Sequence, residues 1–155
     1  FMNSFNELNG IPATGNKYLQ REVLKEEWNF DGFVVSDWDS ISEMIAHGYT
    51  KNESDAAEIA LNAGSDMDME SYLYLDHLKN LLDEGKVDLA LIDDAVKRIL
   101  KVKFELGLFD DPYKYCDLKR EKEITGSKEI NAAALDIAKK SIVLLKNEGN
   151  LLPLK

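Results

Sequence analysis

A single cysteine, Cys116, stands in 155 residues, so no disulfide can close within the chain. Histidine is nearly as scarce. His47 and His77 each lack a second His or Cys at ligand spacing, which argues against a zinc site. Basic clusters are missing as well: 19 Lys and Arg face 29 Asp and Glu, a net charge of −10. Such a chain repels polyanions, so neither nucleic acid nor an anionic membrane surface is an expected partner. No apolar run approaches the ~18 residues that a membrane span requires. Tandem repeats and low-complexity tracts are also absent. What is present is a hydrophobic fraction of 45%, that of a globular protein long enough for one domain with a real core. The sequence opens on Phe1 in an apolar context with no basic leader, and is expected to be cut from a longer chain.

The organising stretch is Asp31-Gly32-Phe33-Val34-Val35-Ser36-Asp37-Trp38. Phe33 to Ser36 is short, aromatic and β-branched, and is bounded by Gly and Asp, as a buried parallel strand is. Asp37 and Trp38 then stand at its carboxyl end, where the loops of α/β folds gather over a common crevice. A carboxylate beside an indole suits a carbohydrate, with one group for polar chemistry and one for the apolar sugar face. The structural alternative is that Asp37 caps the helix beginning near Ile41.

Along the chain, Phe1 to Phe5 reads as the end of another buried strand, and Asn6 to Gly15 as a loop of turn formers. Tyr18, Leu19, Val23, Leu24 and Trp28 recur at helical spacing. Ile41, Met44 and Ile45 predict a short helix ending at Gly48. A helix capped by Ser54-Asp55 runs through Ala63 to Gly64, and Ser65 to Met69 has strand character. Tyr74 to Leu82 is helical up to Gly85. Leu89 to Leu106 carries the strongest helical pattern, with Asp88 at its cap and Gly107 beyond its end. Tyr113 to Ser127 reads as a surface connection, Ile130 to Leu145 as a helix and Asn150 to Leu154 as extended chain. The alternation of strand and helix defines an α/β class with about three strands, either a partial barrel or a partial doubly wound sheet.

Two acidic segments invite other chemistry. Asp37-Trp38-Asp39 and Asp66-Met67-Asp68 both match the short D-x-D pattern of metal-dependent sugar-nucleotide transferases, a pattern common by chance in an acidic chain. An EF-hand loop beginning at Asp66 fails, because Ser71 replaces its Gly and His77 its bidentate Glu. Gly64 to Glu70 resembles the strand motif of family-18 chitinases, with Glu70 as acid and Asp66 and Asp68 on the same strand face. Ala63 and Met69 depart from that motif, and a polar strand end feeding a helix is the preferred reading.

As an ordered set, the chain resembles the C-terminal half of the catalytic barrel of glycoside hydrolase family 3, the β-glucosidase type. The matching pieces begin with Met2-Asn3-Ser4-Phe5-Asn6, Asn9 to Thr14, Leu24 to Trp28 and Phe30 to Phe33. They continue with Val34-Val35-Ser36-Asp37-Trp38, Ala63-Gly64-Ser65-Asp66-Met67, Arg98-Ile99-Leu100 and Leu106-Gly107-Leu108-Phe109. Ser141 to Glu148 and Leu151 to Leu154 close the set, in order and without a large gap.

The resemblance implies a partial (β/α)8 barrel of TIM type holding about its last three β/α units, with parallel strands near Met2–Phe5, Phe33–Ser36 and Ser65–Met67. Residues 1–112 would be barrel, and 113–155 a surface connection, helix and linker leading to a second domain. It also implies retaining hydrolysis of a terminal β-linked sugar, with Asp37 as nucleophile and Trp38, Met2 and Phe5 contacting the substrate. Phe5 stands where the family usually has Tyr, which removes a hydroxyl but not the activity. Neither a metal nor another cofactor is implied. The partners implied are a β-linked oligosaccharide or glycoside, and the remainder of the barrel and second domain. The acid/base Glu of the family comes from that second domain, so the chain by itself is expected to be inactive. A periplasmic or extracellular bacterial location follows by the same resemblance. A non-catalytic sugar-binding relative would keep Trp38 and lose the Asp, and a purely structural domain would need neither.

Overall fold

The computed structural model describes residues 1–154 as two units, Phe1–Pro112 and the chain from Tyr113 onward. In the first unit, three extended segments lie side by side. Val35 pairs with Met2 on one flank and with Met67 on the other, both in parallel. The Val35 N–H donates to Phe1 O at 2.9 Å and the Asn3 N–H to Val35 O at 3.0 Å. On the other flank the Met67 N–H donates to Val34 O at 3.0 Å and the Ser36 N–H to Met67 O at 2.9 Å. The expected parallel neighbours are therefore present, but each pairing is a single bridge instead of a ladder between strands of three or four residues. Asp66 explains one interruption: its N–H also goes to Val34 O, at 2.8 Å, so two successive donors share one carbonyl and the ladder bulges.

Helices cover one face of these segments. Asn3, Val34, Ser36 and Ser65 turn into that layer and are buried. Met2 and Met67, the partners of Val35, lie 53% and 41% exposed. The core proper belongs to the helices α1 (Ser40–Ala46), α2 (Glu53–Ala63) and α3 (Leu73–Asp83). Ile41 and Met44 of α1 meet Ala56, Ala57, Ala60 and Leu61 of α2, with Leu73 and Leu81 of α3 on the far side. The alanines keep α2 slim enough to sit between its neighbours. Gly15 is small for the same reason, since a Cβ there would come within 2.9 Å of Met44 Sδ. Helix α4 (Leu89–Glu105) begins where the Asp88 carboxylate accepts the Ala90 N–H at 2.9 Å.

Local readings are corrected at several points. The Asn6–Gly15 loop contains a hairpin, β1 (Glu7–Leu8) with β2 (Ile11–Pro12), turned by Asn9 and Gly10 at φ 55° and 78°. Asn-Gly with both φ positive is the favoured two-residue hairpin turn. The helix Tyr18–Glu27 is wound as a π-helix, and the Trp28 N–H reaches Val23 O, five residues back, at 2.9 Å. Helix α2 is capped by Asn52, whose side chain accepts the Asp55 N–H at 3.0 Å, not by Ser54-Asp55.

The second unit holds α5 (Leu118–Ile124) and α6 (Lys128–Ser141). Helix α5 falls within the expected surface connection, and the Asp117 carboxylate nucleates it by accepting the Lys119 and Arg120 N–H groups. Helix α6 stops at Ser141, earlier than expected, because Ile142 takes an extended conformation with ψ 122°. Ile142 and Val143 are β-branched, and their stiff χ1 favours that backbone.

Candidate active site

Asp37 leaves the central extended segment two residues after its bridged Val35. The buried Ser36 before it accepts the Met69 N–H on its hydroxyl at 2.8 Å. The buried Ser40 after it shares a hydrogen bond of 2.9 Å with the Thr14 hydroxyl. Between these serines the Ser40 N–H donates to Asp37 O at 3.1 Å, closing a turn through Trp38 and Asp39. The Asp39 N–H donates to Met69 O at 2.9 Å, which ties this turn to the third segment.

Within the turn the Asp37 carboxylate accepts the Trp38 N–H on Oδ1 at 2.7 Å. It does not cap α1; the residue at the cap is Asp39, in the left-handed region at φ 58°. Trp38 is 62% exposed and Phe5 39% exposed. Met2 lies beside Val35 through their bridge and also lines a depression of about 260 Å³ shared with Ser4, Val23, Leu24 and Trp28. Asp37, Trp38 and Phe5 are not among the described residues lining it. A second depression, of about 390 Å³, is lined by Met67, Asp68, Glu70, Tyr72, Tyr74 and Ile99 among others.

The second acidic segment is engaged in structural contacts. Asp66 Oδ1 lies 2.6 Å from Lys25 Nζ, and Oδ2 accepts the Val34 N–H at 2.8 Å. Asp68 accepts the Ser71 hydroxyl at 2.6 Å and the Tyr74 N–H at 3.3 Å, which organises the entry to α3. Glu70 stands at φ 78°, off any extended strand. The chitinase-like arrangement of Asp66, Asp68 and Glu70 on one strand face is thus not formed. Asp66 and Asp68 are each engaged with different partners.

Beneath the segments lies a polar layer that sequence reasoning missed. The Asn3 amide donates to Ser65 Oγ at 2.8 Å, and that hydroxyl is 3.0 Å from both Thr14 O and Gln20 Oε1. The Gln20 amide returns two bonds of 2.9 Å to Ala13 O and Thr14 O. Arg21 of the same helix covers the end of α2, donating to Leu61 O and Asn62 O. Tyr74 donates its hydroxyl to Ser65 O at 2.7 Å, and burial holds its phenol well above the usual tyrosine range. Burial draws the Lys25 ammonium below its usual range, against the pull of Asp66. The signal available for these contacts was a set of small polar residues at positions where a sheet-facing layer would ordinarily be apolar.

Comparison with known proteins shows the family. Residues 1–102 match the model of the glycosyl hydrolase family 3 N-terminal domain, and the chain belongs to that family. It is 41% identical over 157 residues to a periplasmic beta-glucosidase of Salmonella typhimurium, covering 99% of this chain and 20% of that protein. A beta-xylosidase of Formosa agariphila is 36% identical over 156 residues, covering 96% of this chain and 21% of that protein. Among solved structures, the beta-glucosidase of Listeria innocua superposes with a TM-score of 0.78 at 44% identity, over 99% of this chain and 21% of that one. A mutant of that enzyme in complex with laminaribiose matches with a TM-score of 0.77 at 43% identity, over 99% and 21%. The chain therefore spans about one fifth of the length of the relatives it matches.

Proposed function

We propose that the protein carrying this chain is a retaining β-glycosidase of β-glucosidase type, with Asp37 as its nucleophile. The observation that carries this reading is the position of Asp37. It ends the central one of three parallel segments, next to Trp38, in a chain that belongs to family 3. The three segments would be the last strands of a (β/α)8 barrel, of which this chain holds the C-terminal half. Residues 113–155 would lead from residues 1–112 toward a second domain. The apolar face of Met2, Val35 and Met67 would turn toward the barrel interior, completed by the remainder of the barrel.

In the reaction, an oxygen of the Asp37 carboxylate attacks the anomeric carbon. The bond to the leaving oxygen breaks as a carboxylic acid protonates it, and a glycosyl ester on Asp37 remains. Water, deprotonated by the same group, then attacks the anomeric carbon and releases the sugar with retained configuration. Retention requires the two carboxyl groups to lie about 5–5.5 Å apart. The acid/base is proposed to come from the second domain, so this chain alone would be inert. Trp38, Met2 and Phe5 would surround the sugar. The substrate class is a β-linked oligosaccharide or glycoside, supported by relatives named beta-glucosidase and beta-xylosidase. A periplasmic or extracellular location is supported by the name of the Salmonella relative.

The test is azide rescue in the intact protein. Asp37→Ala is expected to lose turnover by several orders of magnitude. Azide would restore part of it and yield the glycosyl azide of inverted configuration, because the small anion occupies the space the carboxylate left. An Asp37→Ala variant that still turns over freely without azide would contradict the proposal.

A further inference from the structure

We propose that Asp39 is a positioning residue for Asp37, acting through its left-handed backbone; this inference rests on the assignment of Asp37 as nucleophile. Asp39 holds φ 58° and ψ 10°, a conformation unfavourable for an L-residue that Asp and Asn tolerate better than most. It occupies the third place of the four-residue turn closed by the Ser40 N–H on Asp37 O at 3.1 Å. A turn with a left-handed third residue ordinarily takes Gly or Asn there.

Four contacts converge on this one residue. Its N–H donates to Met69 O at 2.9 Å, its carbonyl accepts the Glu43 N–H at 3.1 Å, and the Ser42 hydroxyl lies 2.5 Å from Oδ1 and 3.1 Å from its carbonyl oxygen. The backbone of Asp39 thus joins the third extended segment to the first turn of α1, while the Ser42 tether fixes its side chain. Ser36 and Ser40 are buried on either side of the three residues Asp37, Trp38 and Asp39. With both ends held, the direction in which Asp37 presents its side chain depends on the backbone angles of those three, and the Trp38 N–H then holds the carboxylate. A residue that cannot hold positive φ at position 39 must open the Ser40–Asp37 bond and swing the carboxylate out of line. A misplacement of about 1 Å costs on the order of 100-fold in rate.

The experiment compares the intact wild-type protein with Asp39→Asn, Asp39→Gly and Asp39→Val. It reads kcat and KM on an aryl β-glycoside, and the rate of inactivation by a 2-fluoro glycoside. Asn removes the charge but keeps the backbone and the acceptor for Ser42; Gly keeps the backbone alone; Val, β-branched, keeps neither. The expected result is a fall in kcat and in inactivation rate of about 100-fold for Asp39→Val, with KM changed by less than about threefold. Asp39→Asn and Asp39→Gly should each exceed Asp39→Val by at least about tenfold. Should Asp39→Val fail to fold, Asp39→Ala carries the same comparison.

A merely structural role would lower the melting temperature and leave kcat per folded molecule unchanged, which overturns the proposal. Loss in Asp39→Asn equal to that in Asp39→Val also overturns it, because the charge would then matter instead of the backbone. Wild type labelled at Asp37 but Asp39→Val labelled equally fast removes the positioning role and leaves the nucleophile standing. Wild type labelled at another residue removes the nucleophile assignment itself.

Discussion

Lys25 and Asp66 form a buried ion pair, Nζ to Oδ1 at 2.6 Å, with side chains only 5% and 2% exposed. The same ammonium donates to Gly64 O at 2.9 Å, and the other carboxylate oxygen accepts the Val34 N–H at 2.8 Å. This pair fastens the helix Tyr18–Glu27 to the central and third extended segments. Removing one partner strands the other charge out of water. Lys25→Met is expected to lower the stability to urea unfolding by about 3–5 kcal/mol. Lys25→Met combined with Asp66→Asn, which keeps an acceptor for Val34, should recover a substantial part. A loss below about 1 kcal/mol for the single change would mean that the pair is not held as described.

Gly15 is expected to resist any side chain. Its φ is ordinary, so the constraint is space: an added Cβ would meet Met44 Sδ at 2.9 Å and both Ile59 and Tyr49 at 3.1 Å. Met44 is fully buried and cannot swing into solvent. Gly15→Ala should therefore cost about 1–3 kcal/mol by overpacking, read by thermal or urea unfolding. An unchanged or raised stability would show that α1 can shift away at no cost.

Much of this architecture is legible in the sequence, and the gaps have physical causes. The parallel neighbours around Val35 follow from a short β-branched run between Gly and Asp, and α4 from its long periodic face with Asp88 and Gly107 at its ends. The winding of Tyr18–Glu27 could not be read. Over ten residues, Leu19, Val23 and Leu24 fit either helix type, and the five-residue backbone bonding that distinguishes them, as from Trp28 to Val23, leaves no mark in the apolar spacing. The Asn9-Gly10 hairpin was legible as a motif, but strands of two residues leave no alternation to notice. Helix α5 is charged along most of its length, so it lacks an apolar stripe and is betrayed mainly by its Asp117 cap. At the site, Asp37 and Trp38 stand out by residue type. The contributions of Ser36, Ser40 and Asp39 come from backbone angles and from partners far away in sequence, such as Met69 and Thr14.

Tyr74 should titrate late. Its hydroxyl donates to Ser65 O, and burial disfavours the phenolate, so its folded-state pKa lies well above the unfolded value. The folded state then keeps this proton at a pH where the unfolded chain releases it. The stability Tyr74 contributes is fully present below about pH 10 and is lost as pH rises from there through the folded pKa. The difference in phenolate absorbance between wild type and Tyr74→Phe isolates its ionisation, which should coincide with alkaline unfolding. A Tyr74 step below pH 10 in the folded protein would contradict this burial.

If Asp37 carries the covalent intermediate, a mechanism-based inactivator will trap it there. The intact protein is inactivated with a 2-fluoro glycoside, digested with protease and mapped by mass spectrometry. The added sugar is expected on the peptide containing Asp37, and none on that peptide in Asp37→Ala. A label on the peptide spanning Asp66 to Glu70 would contradict it.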